Sequence, residues 1–154
     1  MGRTRIKKQI IVAVSGGFDP VHIGHIRMFE AARKLGNKLI VILNCDKWLI
    51  KKKGYVLMKE KDRKEILQVI RYVDEVILTS HPSNPKDMSV CRELASIRPD
   101  IFANGGDRKA GNIPEYELCK KYGIKMIFNV GGGKVRSSST LVNDASLKSF
   151  KKIK

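Results

Sequence analysis

Five short runs of apolar residues divide the chain, and each is followed by polar residues or glycines. The runs are QIIVAVS (9–15), KLIVILN (38–44), DEVILTS (74–80), PDIFANG (99–105) and IKMIFNV (124–130). Continuous apolar runs of this length are typical of parallel strands that are buried on both faces of a sheet. The pattern therefore predicts five strands.

The segments between these runs have apolar residues at helical spacing. In 24–37 the residues Met28, Ala32 and Leu35 follow i, i+4, i+7, and in 60–73 an apolar set from Ile66 to Val73 does the same. Weaker helices are predicted at 84–97 and 113–123, and a last one at 137–150, which opens with serines suited to an N-cap. Alternating strands and helices predict a Rossmann-like α/β fold, a doubly wound five-stranded parallel sheet with helices on both faces.

Length and charge shape the expected organisation. The 154 residues suit a single domain spanning 1–154, with basic tails at 1–8 and 148–154. The net charge is +16, and residues 47–64 carry eight basic and two acidic residues, which we interpret as a cationic loop. Charge of this size favours anionic partners such as nucleotides, nucleic acids or acidic membranes.

Two further features of the sequence bear on the location of the protein and on whether it binds structural zinc. No apolar run is long enough to span a bilayer, and the apolar start reads as a first strand instead of a signal peptide, so we expect a cytoplasmic protein without a membrane partner. The three cysteines are widely spaced and form no CxxC pattern, which predicts reduced, buried thiols and no structural zinc.

Glycines and polar side chains follow four of the predicted strands directly. They are Gly16, Gly17, Phe18 and Asp19 after the first strand, 44–46 after the second, Asn104, Gly105, Gly106 and Asp107 after the fourth, and 131–133 after the fifth. In open parallel sheets, ligands bind outside the carboxyl ends of the strands. The sequence therefore predicts a ligand site along this edge.

His22 and His25 are three residues apart, just after the first strand. If a helix begins near Gly24, both rings lie at its N-terminus, where backbone N–H groups and the helix dipole attract anions. We interpret the two histidines as residues that bind phosphate, in preference to residues that pack in the core. A zinc site would need a further ligand, and His81 has no partner pattern around it.

Four motifs together resemble the cytidylyltransferase-like nucleotidyltransferases, over roughly residues 9–145. GGFDPVHIGHIRMFEAARKLGNKLIVILNCD (16–46) is similar to the opening βαβ unit with its HxGH signature. DRKEILQVIRYVDEVI (62–77) resembles glycerol-3-phosphate cytidylyltransferases, and RPDIFANGGD (98–107) resembles heptose-phosphate adenylyltransferases. RSSST (136–140) stands where the family has its IST motif.

The resemblance implies an enzyme that transfers a nucleoside monophosphate from CTP or ATP to a small phosphorylated acceptor, a polyol or sugar phosphate, and releases pyrophosphate. Because the acceptor phosphate is already an anion, the enzyme needs only to position the reactants and stabilise charge. The implied catalytic residues are His22, His25 and Lys53. Mg²⁺ (magnesium) would arrive with the nucleotide, with no dedicated metal site.

The resemblance also implies contacts to the substrates. The nucleotide-binding residues would be Gly16, Gly17, Phe18, Asp19, Asn104, Gly105, Gly106, Asp107, Ser137, Ser138 and Ser139. Lys51 and Arg63 would contact phosphate or the acceptor. Asp19 is equally explained as a turn residue before Pro20, and Arg63 as an ordinary surface arginine of a helix.

Several alternatives stay open at this point. The family motif has Thr or Cys where this chain has Gly17, and Gly132 stands where the glycerol-phosphate enzymes have an arginine, so the nucleobase is not decided. An FMN adenylyltransferase is a second interpretation. A basic nucleic-acid-binding α/β protein is a third, although aromatic residues are only 6% and we do not expect a nucleic acid partner. Homodimers are common in the family, so a dimer is an alternative to a monomer.

Overall fold

The fold is a five-stranded parallel sheet, seen in a computed structural model that describes residues 7–106, 113–132 and 138–148. The strands are β1 (Ile11–Gly16), β2 (Lys38–Leu43), β3 (Glu75–Leu78), β4 (Ile101–Ala103) and β5 (Lys125–Ile127). Their order is β3-β2-β1-β4-β5, and every neighbouring pair is parallel. The predicted Rossmann-like sheet is confirmed, and its direction of winding reverses between β1 and β4.

In the described part of the chain, six helices connect the strands or follow them. They are α1 (Ile23–Arg33), α2 (Asp46–Lys53), α3 (Glu60–Gln68), α4 (Cys91–Ile97), α5 (Glu115–Tyr122) and α6 (Ser138–Lys148). Within the described residues, none of them is both long enough and apolar enough to cross a membrane.

The helices cover both faces of the sheet, so there are two apolar cores. On one face Val12 and Val14 of β1 pack with Phe29 of α1 and Leu67 of α3. On the other face Ala13 of β1 belongs to the cluster whose buried residues include Leu94, Phe102 and Cys119. The alternation along β1 shows why its run is apolar throughout, since successive side chains enter opposite cores.

The predicted cationic loop at 47–64 is wrong, because most of it is helical. α2 begins with Asp46, whose charge suits a helix N-terminus, and ends with Lys51, Lys52 and Lys53, whose charges suit a C-terminus. Gly54 follows in the left-handed conformation with φ of 84° and closes the helix. The lysine run is therefore the last turn of a helix, and residues 54–59 alone form the connection to α3.

The predicted apolar face of the middle helix is confirmed only in part, because Ile70 and Val73, which lie beyond the end of α3, pack against the core, whereas Ile66 and Val69 are exposed. α3 ends at Gln68 instead of continuing to residue 73, and Val69 just beyond it is 83% exposed. The buried residues of α3 are Arg63 and Leu67, which are one helical turn apart. An arginine occupies a core position that the apolar pattern gave to its neighbours. The predicted helix at 84–97 is likewise confined to α4.

Candidate active site

The loop from Gly16 to His22 joins β1 to α1 at the carboxyl end of the sheet, and we call it the histidine loop. A Cβ on Gly16 would lie 2.8 Å from the Phe18 ring, and one on Gly17 would lie 2.8 Å from Leu49 Cδ2. The sequence predicts that a ligand approaches the backbone closely at both glycines. The structure shows that they already accommodate protein side chains, with Phe18 buried under the loop at a φ of 49°.

His22 and His25 lie at the N-terminus of α1, as the spacing predicts. His22 is the N-cap, and its Nδ1 accepts the backbone N–H of Gly24 at 3.1 Å. His25 Nδ1 accepts the backbone N–H of His22 at 3.2 Å. The two rings stack with centroids 3.8 Å apart, and the Phe18 ring meets His25 edge-on at 4.8 Å.

These contacts fix the tautomer of both histidines. Because each Nδ1 accepts a backbone hydrogen, the neutral form of each ring carries its proton on Nε2. His22 and His25 therefore present Nε2–H donors on one stacked pair at a helix N-terminus. An anion beside this helix start would meet directional donors as well as the positive end of the helix dipole.

Three carbonyl groups of the same loop accept hydrogen bonds from side chains of distant elements. Arg63 of α3 donates to Gly17 O at 2.7 Å, Lys53 of α2 donates to Asp19 O at 3.2 Å, and Ser138 of α6 donates to Pro20 O at 2.8 Å. The loop shape is thus fixed by α2, α3 and α6 together. The structure brings the predicted residues Lys53, Arg63 and Ser138 to one loop.

Asp19 is fully buried and serves the protein itself. Its two carboxylate oxygens accept the backbone N–H groups of Leu57 and Met58, both at 2.7 Å. These bonds attach the connection after α2 to the loop after β1. Both carboxylate oxygens of Asp19 thus bind backbone N–H groups of the protein, and a contact of Asp19 to the nucleotide stays a prediction.

Arg63 is buried rather than exposed, which neither sequence interpretation expected. Its guanidinium donates to the carbonyls of Gly17, Asn44 and Met58 at 2.7 to 2.8 Å and to the Asp46 carboxylate at 2.6 Å. All four contacts are to protein groups, and the side chain has no exposed surface. Arg63 therefore connects the ends of β1 and β2 with the start of α2.

Lys53 and Lys51 have different surroundings. Lys53 is half-buried, with its Nζ bonded to the loop and 5.7 Å from the centre of the Tyr55 ring. Burial lowers the pKa of the Lys53 ammonium, with the Asp19 carboxylate opposing the shift and Arg63 adding to it. Lys51 is exposed and donates to Asn84 at 2.6 Å, so it contacts the chain after β3 instead of the histidine loop.

The end of β4 supplies the second side of the site. Asn104 is buried, and its backbone pairs with Ile127 and Val130 of the neighbouring segment. A Cβ on Gly105 would lie 3.6 Å from Met28 Sδ, so this loop passes close to α1. Gly106 is the last described residue of the loop, and the predicted contact at Asp107 lies outside the described residues.

The start of α6 completes the arrangement. Ser138 bonds to Pro20 O, and Ser139 is exposed in the first turn of the helix. Ser137 lies outside the described residues. The two described serines place a helix N-terminus beside the loop that precedes α1, so two helix starts adjoin the same loop.

Gly131 offers a test of how closely the chain after β5 must pack on α1. Gly131 and Gly132 both have positive φ, of 87° and 83°, but a Cβ on Gly131 would lie 2.8 Å from Met28 Cα, whereas one on Gly132 would meet nothing within 4 Å. Gly132→Ala should cost about 1–2 kcal/mol from φ alone. Gly131→Ala should cost about 1–3 kcal/mol more in urea unfolding. Equal losses would contradict the close approach.

Sequence reasoning placed residues 44–46 at the ligand edge without giving Asp46 a role, and it missed Glu60. Asp46 pairs with Arg63, and its own backbone N–H donates to Glu60 Oε2 at 2.7 Å. The signal available in the sequence was an acidic residue shortly after β2, with a second one fourteen residues later at the start of α3. Among the described residues, no group of three His, Cys, Asp or Glu side chains is placed to hold a metal ion.

Similarity to known proteins decides the family. A model of the Cytidylyltransferase-like family matches residues 13–137, which is most of the chain. The chain belongs to the cytidylyltransferase-like family. It is therefore a nucleotidyltransferase, and the resemblance inferred from the four motifs is confirmed.

Relatives within the cytidylyltransferase-like family differ in what their names describe. FAD synthase of Pyrococcus abyssi is 34% identical over 120 residues, which are 77% of this chain and 78% of that protein. The bifunctional protein HldE of Streptomyces coelicolor is 33% identical over 79% of this chain but only 25% of its own length. A solved lipopolysaccharide core biosynthesis protein from Thermoplasma volcanium has a TM-score of 0.62 at 26% identity, covering 78% of this chain and 95% of that one.

Proposed function

We propose that this nucleotidyltransferase moves AMP from ATP to FMN, forming FAD and releasing pyrophosphate. The observation that carries the proposal is the similarity to FAD synthase of Pyrococcus abyssi, which covers more than three quarters of both chains. The match to HldE covers about as much of this chain but only a quarter of that protein. We therefore propose ATP, and not CTP, as the nucleotide substrate.

The chemistry needs positioned donors and no protein nucleophile. A phosphate oxygen of FMN attacks the α-phosphorus of ATP, the bond from that phosphorus to the bridging oxygen breaks, and pyrophosphate leaves. Negative charge moves onto the phosphate oxygens in the transition state. The Nε2–H groups of His22 and His25 are suited to donate to those oxygens, because their Nδ1 atoms already hold backbone hydrogens.

Lys53 and Ser138 are proposed to complete the phosphate contacts. Lys53 brings a cation to the same loop that carries the histidines, and the start of α6 brings a second helix N-terminus beside it. Both are proposed to act on the triphosphate. Mg²⁺ is proposed to enter as the Mg–ATP complex, where it neutralises phosphate charge.

A second candidate is adenylyl transfer to a sugar phosphate. It is favoured by the similarity to HldE and by the solved lipopolysaccharide core protein, nearly all of which aligns with this chain. The two candidates share the nucleotide and the reaction, and they differ only in the acceptor.

Pyrophosphate release separates these candidates. Purified protein is mixed with Mg²⁺, either ATP or CTP, and either FMN or a panel of heptose, hexose and glycerol phosphates. We expect pyrophosphate and chromatographically detected FAD with ATP and FMN, and at least tenfold less pyrophosphate with CTP. Riboflavin, which lacks the attacking phosphate, is the matched control and should give none. Faster turnover of a sugar phosphate, or of CTP, would overturn the proposal.

A further inference from the structure

A groove of about 460 Å³ opens on the side of the sheet where β2 and β3 end. It is formed by α2, by the chain before α4 and by the start of α5, and we call it the Trp48 groove. Its lining includes Trp48, Lys52, Lys86, Met88, Ile113 and Glu115. Small-molecule sites commonly have volumes of about 300–1,000 Å³, so the groove is large enough for a substrate.

Trp48 connects this groove to the histidine loop. Its indole Nε1–H donates to Met88 O at 2.8 Å, which fixes the orientation of the ring. The other edge of the same ring, at Cζ3, lies 3.7 Å from the position that a Cβ would take on Gly17. One aromatic ring therefore extends from the loop that precedes the histidines to the chain after β3.

The Trp48 groove also contains an unsatisfied buried carboxylate. Glu115 is 3% exposed, and its Oε1 accepts the backbone N–H of Val90 at 3.0 Å. Its Oε2 has no hydrogen-bond partner among the described residues. A buried carboxylate oxygen without a donor costs free energy, which a ligand N–H at this oxygen would recover.

Charge and apolar surface complete the lining. Lys52 and Lys86 are exposed beside the groove, and Lys52 precedes Lys53, whose ammonium touches the histidine loop. Met88 and Ile113 add half-buried apolar surface. The exposed Asp87 carboxylate also lines the groove. An aromatic wall, a buried acceptor and two cations together match a flat heteroaromatic ring that carries an N–H group and a phosphate.

We propose that the Trp48 groove is the acceptor subsite and that it stacks the isoalloxazine ring of FMN on Trp48, with a ring N–H directed to Glu115. The inference rests on the proposed function. Most of the groove lining follows β2 and β3, and Ile113 and Glu115 add lining from the chain after β4, which also carries the predicted nucleotide residues at 104–106.

Trp48 is the single tryptophan of the chain, so the tryptophan fluorescence of the protein comes from this ring alone. In the intact protein, FMN and riboflavin should both quench this fluorescence, because both carry the ring. AMP and glucose 1-phosphate should not quench it. Quenching by AMP that equals quenching by FMN would assign the groove to the nucleotide and overturn the proposal.

Steady-state kinetics give the second measurement. Trp48→Leu should raise the KM for FMN about tenfold or more, since stacking on an aromatic side chain is lost, and should leave the KM for ATP within about twofold. Trp48→Phe retains an aromatic face and should raise it less. Lys86→Ala should raise the KM for FMN several-fold, with exposed Lys120→Ala on α5 as the matched control.

The outcomes separate this inference from the proposed function. If FAD forms and Trp48→Leu does not change the KM for FMN, the assignment of the subsite is overturned and the proposed function is retained. Flavin quenching of Trp48 without any FAD would overturn the function and leave the flavin-binding groove standing. Thermal unfolding of each variant, compared with the unsubstituted protein, shows whether a change in KM reflects a damaged fold.

Discussion

Replacing His22 or His25 by alanine is expected to lower kcat by about 10²–10³-fold, the usual cost of removing one donor from a developing oxyanion. Each ring contributes an Nε2–H at the start of α1, because its Nδ1 accepts a backbone hydrogen, and alanine removes that donor. The KM for ATP should change less than kcat, because the charge that these donors meet is largest in the transition state.

His22→Asn provides the matched control for stability. Asparagine is a good N-cap, and its side-chain oxygen can accept the Gly24 N–H that His22 Nδ1 accepts. His22→Asn should therefore unfold within about 1 kcal/mol of the unsubstituted protein and still lose turnover as His22→Ala does. Pyrophosphate release with saturating Mg–ATP and acceptor measures kcat, and a rate within threefold of normal would refute the phosphate role of the pair.

Arg63→Met is expected to destabilise the protein by about 3–5 kcal/mol, the cost of removing one partner from a buried ion pair. The substitution leaves Asp46 without its cation and leaves the carbonyls of Gly17, Asn44 and Met58 without donors. Because two of those carbonyls lie at the ends of β1 and β2, turnover should also fall at temperatures where the variant remains folded.

The control for Arg63→Met is Arg71→Met, at an exposed position just past the end of α3. Surface substitutions usually change stability by no more than about 0.5 kcal/mol. Urea unfolding followed by circular dichroism compares the two variants under one condition. If Arg63→Met costs less than 1 kcal/mol, the four contacts of this guanidinium do not stabilise the native loop as its geometry indicates.

The sheet was predictable because its signal is local. Each strand lies in an apolar run, and β1 shows the reason in the alternation of Val12, Ala13 and Val14 between two clusters. α2 was missed because only Leu49 of its eight residues is fully buried, so the segment has almost no apolar pattern. Its boundary signals, Asp46 at the start and Gly54 after the lysines, carried the information instead.

The positions of His22 and His25 could be predicted from the sequence, but the contacts of Asp19 and Arg63 could not. His22 and His25 depend on a local geometry, a helix start directly after a strand, which the spacing contains. Asp19 finds its partners 38 and 39 residues away, at the backbone of Leu57 and Met58, and Arg63 has one of its four partners 46 residues away, at the carbonyl of Gly17. No local pattern distinguishes a carboxylate that binds backbone amides from one that faces a ligand, so that distinction required the three-dimensional structure.

The bond from Ser138 to Pro20 has a consequence for the timing of synthesis. The histidine loop leaves the ribosome early, but one of its three carbonyl partners is encoded 118 residues later. At usual translation rates the interval is on the order of ten seconds. A nascent chain that ends before residue 138 therefore carries both histidines and a loop that lacks one of its three side-chain donors, and that bond can form only when α6 docks.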